Sequence, residues 1–328
     1  TATQTDYQSW LVLSILYSVL YMPTLALSNS VTFAHISDQE NDFPKIRVWG
    51  TLGWIAASWA FPMIWLQTDL QFQMMPPFFV GTEVPQVTNR LADALKFSGI
   101  ISICYGVFCF SLPYTPPKKD AVDQLAFKKA FGLFRYSSFA VLGLASLAIS
   151  IIHQIYFLQT GPFLSSIGIL DSQIGPAMTI GQFAEILTMA YLGYFLKNIG
   201  FKKVITIGIA AYCLRYAIFG SESLPVWIIV LSQAFHGFCY AFFFAAAYIY
   251  VDKIADEDVR HSAQTVFGII ILGGGPVIGG WLSGFLQSAN TVNNVFNFST
   301  FWYTLSLIGF ITTVLFFMFF KEELAERG

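Results

Sequence analysis

Apolar stretches long enough to cross a bilayer recur along this chain at 10–35, 46–66, 97–113, 139–160, 174–196, 204–220, 226–251, 262–287 and 300–320. Lipid offers backbone N–H and C=O groups no partner, so such a stretch must become a helix or one strand of a closed barrel. Barrel strands alternate over about ten residues, and that pattern is absent; the runs instead match the roughly 20 residues a helix needs. Hydrophobic residues make up 55% of the chain and charged ones 11%, with a mean hydropathy of +0.62. That balance excludes a soluble domain, and the expected fold is an all-α polytopic membrane protein. A net charge of -2 offers nothing to nucleic acid. Cys104, Cys109, Cys213 and Cys239 all fall inside apolar runs without metal-ligand pairing. Neither a disulfide framework nor a metal or other cofactor is expected.

Lysine and arginine set the orientation. The connections at 36–45, 114–138, 197–203 and 252–261 and the tail 321–328 are rich in both, whereas 67–96, 161–173, 221–225 and 288–299 carry only Arg90 and Lys96. The positive-inside rule places the first set in the cytoplasm. Segment 114–138 is the longest cytoplasmic connection and is bounded by Pro113, Pro116 and Pro117. Six spans follow it and three precede it, and carriers of two six-helix halves join those halves by such a loop. The expectation is therefore nine of twelve helices. Residues 1–113 would complete a first half, 114–138 would link the halves, and 139–328 would form the second. The chain begins at Thr1 with neither an initiator methionine nor a signal-peptide pattern, so three helices are expected upstream.

The most informative span is Gly175 to Leu196, because it carries Glu185 near its middle with Gln182 three residues earlier. A charged acid at that depth costs about 3 kcal/mol on insertion scales. Residues three apart share a helix face, so the pair marks either a hydrogen-bonded packing contact or a wet polar pocket. Other polar residues within spans are Arg47, Thr51, His153, Gln154, Arg215 and His236, interleaved with aromatic residues. His153 points about 100° around the helix from Gln154 and reads as a packing or hydrogen-bonded histidine. Arg215 reads as a structural pairing residue. The run Gly273 to Gly280 lacks a phosphate-loop ending and reads as helix packing and hinge, and 67–96 reads as a surface loop. There is no HExxH, no Cys/His ligand set and no nucleophile elbow, so an enzyme is not expected.

Several strings carry a family resemblance. Gly193-Tyr-Phe-Leu-Lys-Asn-Ile-Gly-Phe-Lys-Lys203 resembles the second-half copy of the basic loop motif of the major facilitator superfamily. Tyr21-Met-Pro-Thr-Leu-Ala-Leu-Ser-Asn29 and Asp42-Phe-Pro-Lys-Ile-Arg-Val-Trp-Gly-Thr-Leu-Gly53 resemble the bacterial nucleoside:proton symporters of that superfamily. Gln182-Phe-Ala-Glu185, Leu214-Arg-Tyr216 and Arg260-His-Ser-Ala-Gln264 continue the match, in register from about Tyr17 to Lys321.

The resemblance implies a twelve-helix carrier in the bacterial inner membrane, with a central nucleoside cavity between two halves. Arg47, Thr51 and Trp54 match solute-contacting positions of the first half. Gln154, Phe157, Gln182, Glu185, His236 and Tyr240 match those of the second, and Glu185 and His236 are the proton-coupling candidates. The chain departs from the family at Phe157, which replaces an asparagine, at His236, which replaces a tyrosine, and at Ala241, which replaces an acid. The expected function is nucleoside import by alternating access, coupled to protons. Nucleoside, proton and lipid bilayer are the expected partners. The loss of the acid at Ala241 leaves open an uncoupled facilitator or a carrier of another polar solute. A non-transporting sensor on the same fold is a third reading.

Overall fold

The computed structural model describes residues 3–36, 39–74, 78–115, 132–221, 223–255 and 260–322; the side chains of Arg47, Arg260, His261 and Ser262 lie outside the described residues. Most of expected link 114–138 also falls outside them. The chain divides into two compact units: Thr1–Phe72 with Phe79–Asp120, and Gln73–Phe78 with Ala121–Gly328.

In the first unit, α1 (Tyr7–His35) starts at Asp6, whose side chain accepts from the Ser9 amide. This supplies one of the partners that the first turn of a helix lacks. Helix α2 (Gln39–Phe61) ends at Pro62 in a wide π-type turn to Leu66. Expected surface loop 67–96 is more ordered than its composition suggested. Strands β1 (Gln67–Phe72) and β2 (Phe79–Glu83) pair antiparallel, with a register irregularity between Thr68 and Gln71. Gly81 makes the pairing possible, since a Cβ there would overlap the Thr68 carbonyl oxygen, and its amide donates to Gln67 Oε1 at 2.7 Å. A second hairpin joins β3 (Thr291–Val292) to β4 (Val295–Phe296). The all-α expectation is corrected to this extent: the spans are helical, but two connections between them form hairpins.

Helix α3 (Asp93–Cys109) begins before the expected span 97–113, with Asp93 in its first turn, where an acid is favoured; Asp93 pairs with Lys96 at 2.7 Å and accepts from Trp65 Nε1. None of its residues is buried. An apolar helix this bare would be a liability in water but is at home against lipid.

The second unit holds α4 (Ser137–Ser166) and α5 (Ile180–Gly220). The helical run α6 (Val226–Ile254), helix α7 (Gly275–Ala289) and helix α8 (Phe298–Phe319) follow. Gly200 breaks α5 into two limbs with φ 78° and ψ 166°, a conformation open to glycine alone, so the basic motif becomes a one-residue reversal. Among the described residues six helical stretches are long and apolar enough to cross a membrane, from Val87–Cys109 to Phe298–Phe319. One of them, Asp171–Gly220, is 50 residues long. At 1.5 Å per residue this far exceeds one crossing of a core about 30 Å thick. The chain is a multi-pass, mostly helical membrane protein.

Small residues let these helices approach closely. Gly275 faces Ser150, whose hydroxyl donates to the Ile271 carbonyl, and a Cβ on Gly279 would lie 2.9 Å from Cβ of Gln154. Part of the glycine run therefore serves packing. Ser306 donates to the Cys213 carbonyl at 2.8 Å, and Gly309 faces the Cys213 backbone, joining α8 to α5.

Candidate functional site

Most of the second unit's interior is aliphatic and aromatic, and one patch is not. It forms where α4, both limbs of α5 and α6 meet. Two glycines bring the elements together. A Cβ on Gly181 would lie 2.8 Å from Cβ of His236, and one on Gly237 would lie 2.5 Å from the carbonyl carbon of Ala184. Each glycine thus admits the other helix's backbone beside a polar residue, and the side chains of Glu185 and His236 are brought within reach.

Oε2 of Glu185 stands 3.9 Å from Nε2 of His236, with the acid side chain 12% exposed and the imidazole 3%. The other ring nitrogen, Nδ1, lies 3.0 Å from Nη1 of Arg215. Arg215 is fully buried, and its guanidinium lies over the ring of Tyr156 at 4.0 Å, with Tyr216 at 5.1 Å and Tyr212 at 5.4 Å. Ring faces carry negative quadrupole charge, so three tyrosines provide part of the solvation that water would give a cation. Among the described residues Arg215 forms no ion pair with a carboxylate, and its Nε has no hydrogen-bond partner. The pairing expected for this arginine exists, but with an imidazole and tyrosines.

His153 belongs to the patch, and it is both packed and hydrogen-bonded there, as its azimuth relative to Gln154 suggested. Its ring stacks on His236 at 5.6 Å and 17°, and Nδ1 lies 2.9 Å from the Tyr212 hydroxyl. Phe157 meets His153 edge-on at 5.0 Å and His236 at 6.2 Å, and Tyr240 lies 6.5 Å from His236 at 25°. Tyr156, one of the aromatic residues interleaved with the polar ones, donates through its hydroxyl to Oε1 of Gln233 at 2.9 Å, and Gln233 is a further member that the sequence reading did not single out. Buried polar residues several helices apart leave no spacing signal; only the tyrosine-rich setting of Arg215 hinted at them.

Two amide ends in the patch are buried and have no hydrogen-bond partner: Oε1 of Gln182 and Nε2 of Gln233. An unmade buried hydrogen bond costs about 1–3 kcal/mol, so these atoms are available to a polar guest. Half-buried Gln154 lies on α4 against Gly279 of α7. Residues Cys239–Ala245 form a wide π-type turn, in which residues five apart approach one face more closely than in an α-helix. Ala241 in that turn is fully buried. In the first unit, Thr51 and Trp54 lie on α2, Thr51 half-buried and Trp54 half-exposed; the side chain of Arg47 is outside the described residues.

The chain is similar to known nucleoside transporters. YegT of Escherichia coli K12, whose name assigns it to nucleoside transport, is 34% identical over 98% of this chain and 75% of its own length. The xanthosine permease and the nucleoside permease NupG of the same organism are 28% and 27% identical, each over 98% of this chain and 76% of their own. Two crystal structures of the nucleoside transporter NupG, one of a point mutant, superpose with TM-scores of 0.80 and 0.77 at 26% and 25% identity. Both cover 98% of this chain and 79% of the other. The profile of the nucleoside H+ symporters matches residues 1–325, and the chain belongs to that family.

Proposed function

We propose that this protein imports nucleosides together with protons by alternating access, across the cytoplasmic membrane of a bacterium. Its helices make up nine of a twelve-helix bundle of the major facilitator type, with residues 1–113 in the first half, 114–138 as the link and 139–328 in the second half. Gln154, Phe157, Gln182, Glu185, His236 and Tyr240 are the second half's solute contacts, and Arg47, Thr51 and Trp54 are those of the first. The observation that carries this reading is the polar patch itself. An acid, an imidazole and two unpartnered amide ends sit among aromatic rings inside an apolar bundle. Ribose hydroxyls both donate and accept, and a base presents a flat face with polar edges; amides, a carboxylate and rings match both. Glu185 takes the proton, because a carboxyl can be neutral or charged according to its surroundings. Binding that differs between inward- and outward-open states drives the exchange.

The test is uptake of labelled purine and pyrimidine nucleosides into proteoliposomes, with and without an inward proton gradient. Accumulation that collapses with a protonophore is expected. Failure of every nucleoside to accumulate or compete would refute the reading. Ala241, buried where the family acid is expected, favours the uncoupled facilitator as second reading. That alternative predicts saturable uptake indifferent to the gradient.

A further inference from the structure

We infer that Arg215 is a positioning residue for Glu185: by donating to Nδ1 it confines the single ring proton of His236 to Nε2, the nitrogen that faces the carboxylate. Guanidinium groups have five N–H donors and no acceptor, so a contact of 3.0 Å between Nη1 and Nδ1 requires a lone pair on Nδ1. A neutral imidazole then carries its proton on Nε2. That nitrogen stands 3.9 Å from Oε2 of Glu185, which a small side-chain movement converts into a hydrogen bond.

The surroundings hold the ring in this form. Arg215 of the later α5 limb faces Nδ1, Glu185 of the earlier limb faces Nε2, and α4 contributes His153 and Tyr156 to the ring faces. On its own helix His236 meets Tyr240. A second proton on His236 would have to displace Arg215 from Nδ1 and place two cations side by side in a buried site. His236 is therefore a fixed donor, and Glu185 is left as the member of the line whose charge changes. An ionised Glu185 draws the Nε2–H towards itself. Once protonated it loses that attraction, and its own hydroxyl can donate to another acceptor. This assignment rests on the proposed role of Glu185 as proton site, but the state of the ring can be measured without transport.

The measurement is a long-range ¹⁵N–¹H correlation of the histidine rings, recorded on the protein in lipid nanodiscs across its range of stability. The His236 signals are those lost in His236→Gln. One protonated nitrogen, Nε2, is expected throughout. In Arg215→Met, which removes the donor, protonated Nδ1 should appear as pH falls. A ring protonated on Nδ1 alone, or on both nitrogens, in the unaltered protein overturns the inference. If Arg215→Met does not fold, uptake by His236→Gln in the intact carrier decides, since its amide still offers an N–H. A raised KM with an unmoved pH profile is expected, and a displaced profile would make His236 a proton carrier. A protein with the expected ring state that moves no nucleoside refutes the proposed function and leaves the ring assignment standing.

Discussion

Gly237→Ala is the sharpest test of how the patch is assembled. Its new Cβ would lie 2.5 Å from the carbonyl carbon, 2.6 Å from the carbonyl oxygen of Ala184 and 2.8 Å from the amide nitrogen of Glu185. Carbon atoms rest at about 3.5–4.0 Å, so the overlap amounts to about 1 Å. All three atoms are backbone, so no rotamer change relieves it and the helices themselves must part. Overpacking of this kind costs about 1–3 kcal/mol. A shift of about 1 Å between Glu185 and His236 should also reduce uptake. Gly280→Ala is the matched control, since a Cβ there meets nothing within 4 Å, and it should be neutral or slightly stabilising. Both variants can be followed by unfolding in nanodiscs and by uptake in the intact carrier. Gly237→Ala with the stability and uptake of the control would refute the close approach and the geometry built on it.

Other outcomes can be checked alongside. Glu185→Gln preserves shape and much of the hydrogen bonding but cannot lose a proton, so accumulation should vanish while nucleoside exchange persists in counterflow assays. Gln182→Ala should weaken nucleoside binding by about 1–3 kcal/mol in titration calorimetry. It should leave the unfolding midpoint almost unchanged, because Oε1 has no hydrogen-bond partner to lose. Tyr156→Phe keeps the ring under Arg215 but strips Gln233 Oε1 of its donor, and should destabilise unfolding by about 1–3 kcal/mol. Gly200→Ala forces a side chain into a backbone conformation reserved for glycine and should cost about 1–3 kcal/mol in the same assay.

What could be read from the sequence followed the physics of each feature. Helices announced themselves because lipid demands long apolar runs; α8 (Phe298–Phe319) lies within two residues of the expected 300–320, and α4 (Ser137–Ser166) covers the expected 139–160 and runs past its end. Glu185 stood out because an acid is conspicuous in such a run, and its face-mate Gln182 followed from helical periodicity. His153 is the packed and hydrogen-bonded histidine its azimuth suggested, but periodicity tells where a side chain points on its own helix, not that Tyr212 and His236 wait there. Arg215 and His236 are 21 positions apart on different helices, and only folding gives them a shared hydrogen bond. The β1–β2 hairpin was hidden because Gly81, the residue that permits the close pairing, looks like any loop glycine.

The three tyrosines around Arg215 also bear on how the protein is made. Synthesis runs from the N-terminus, so Arg215 reaches the bilayer ahead of residues 226–254, which carry His236. A guanidinium at mid-helix costs about 2.5–3.5 kcal/mol during insertion. Tyr156, Tyr212 and Tyr216 all precede or adjoin it in the chain, so the cation has ring faces to rest on from the moment its limb inserts. Histidine arrives last, and the cover of the nascent hairpin becomes the back wall of the mature site.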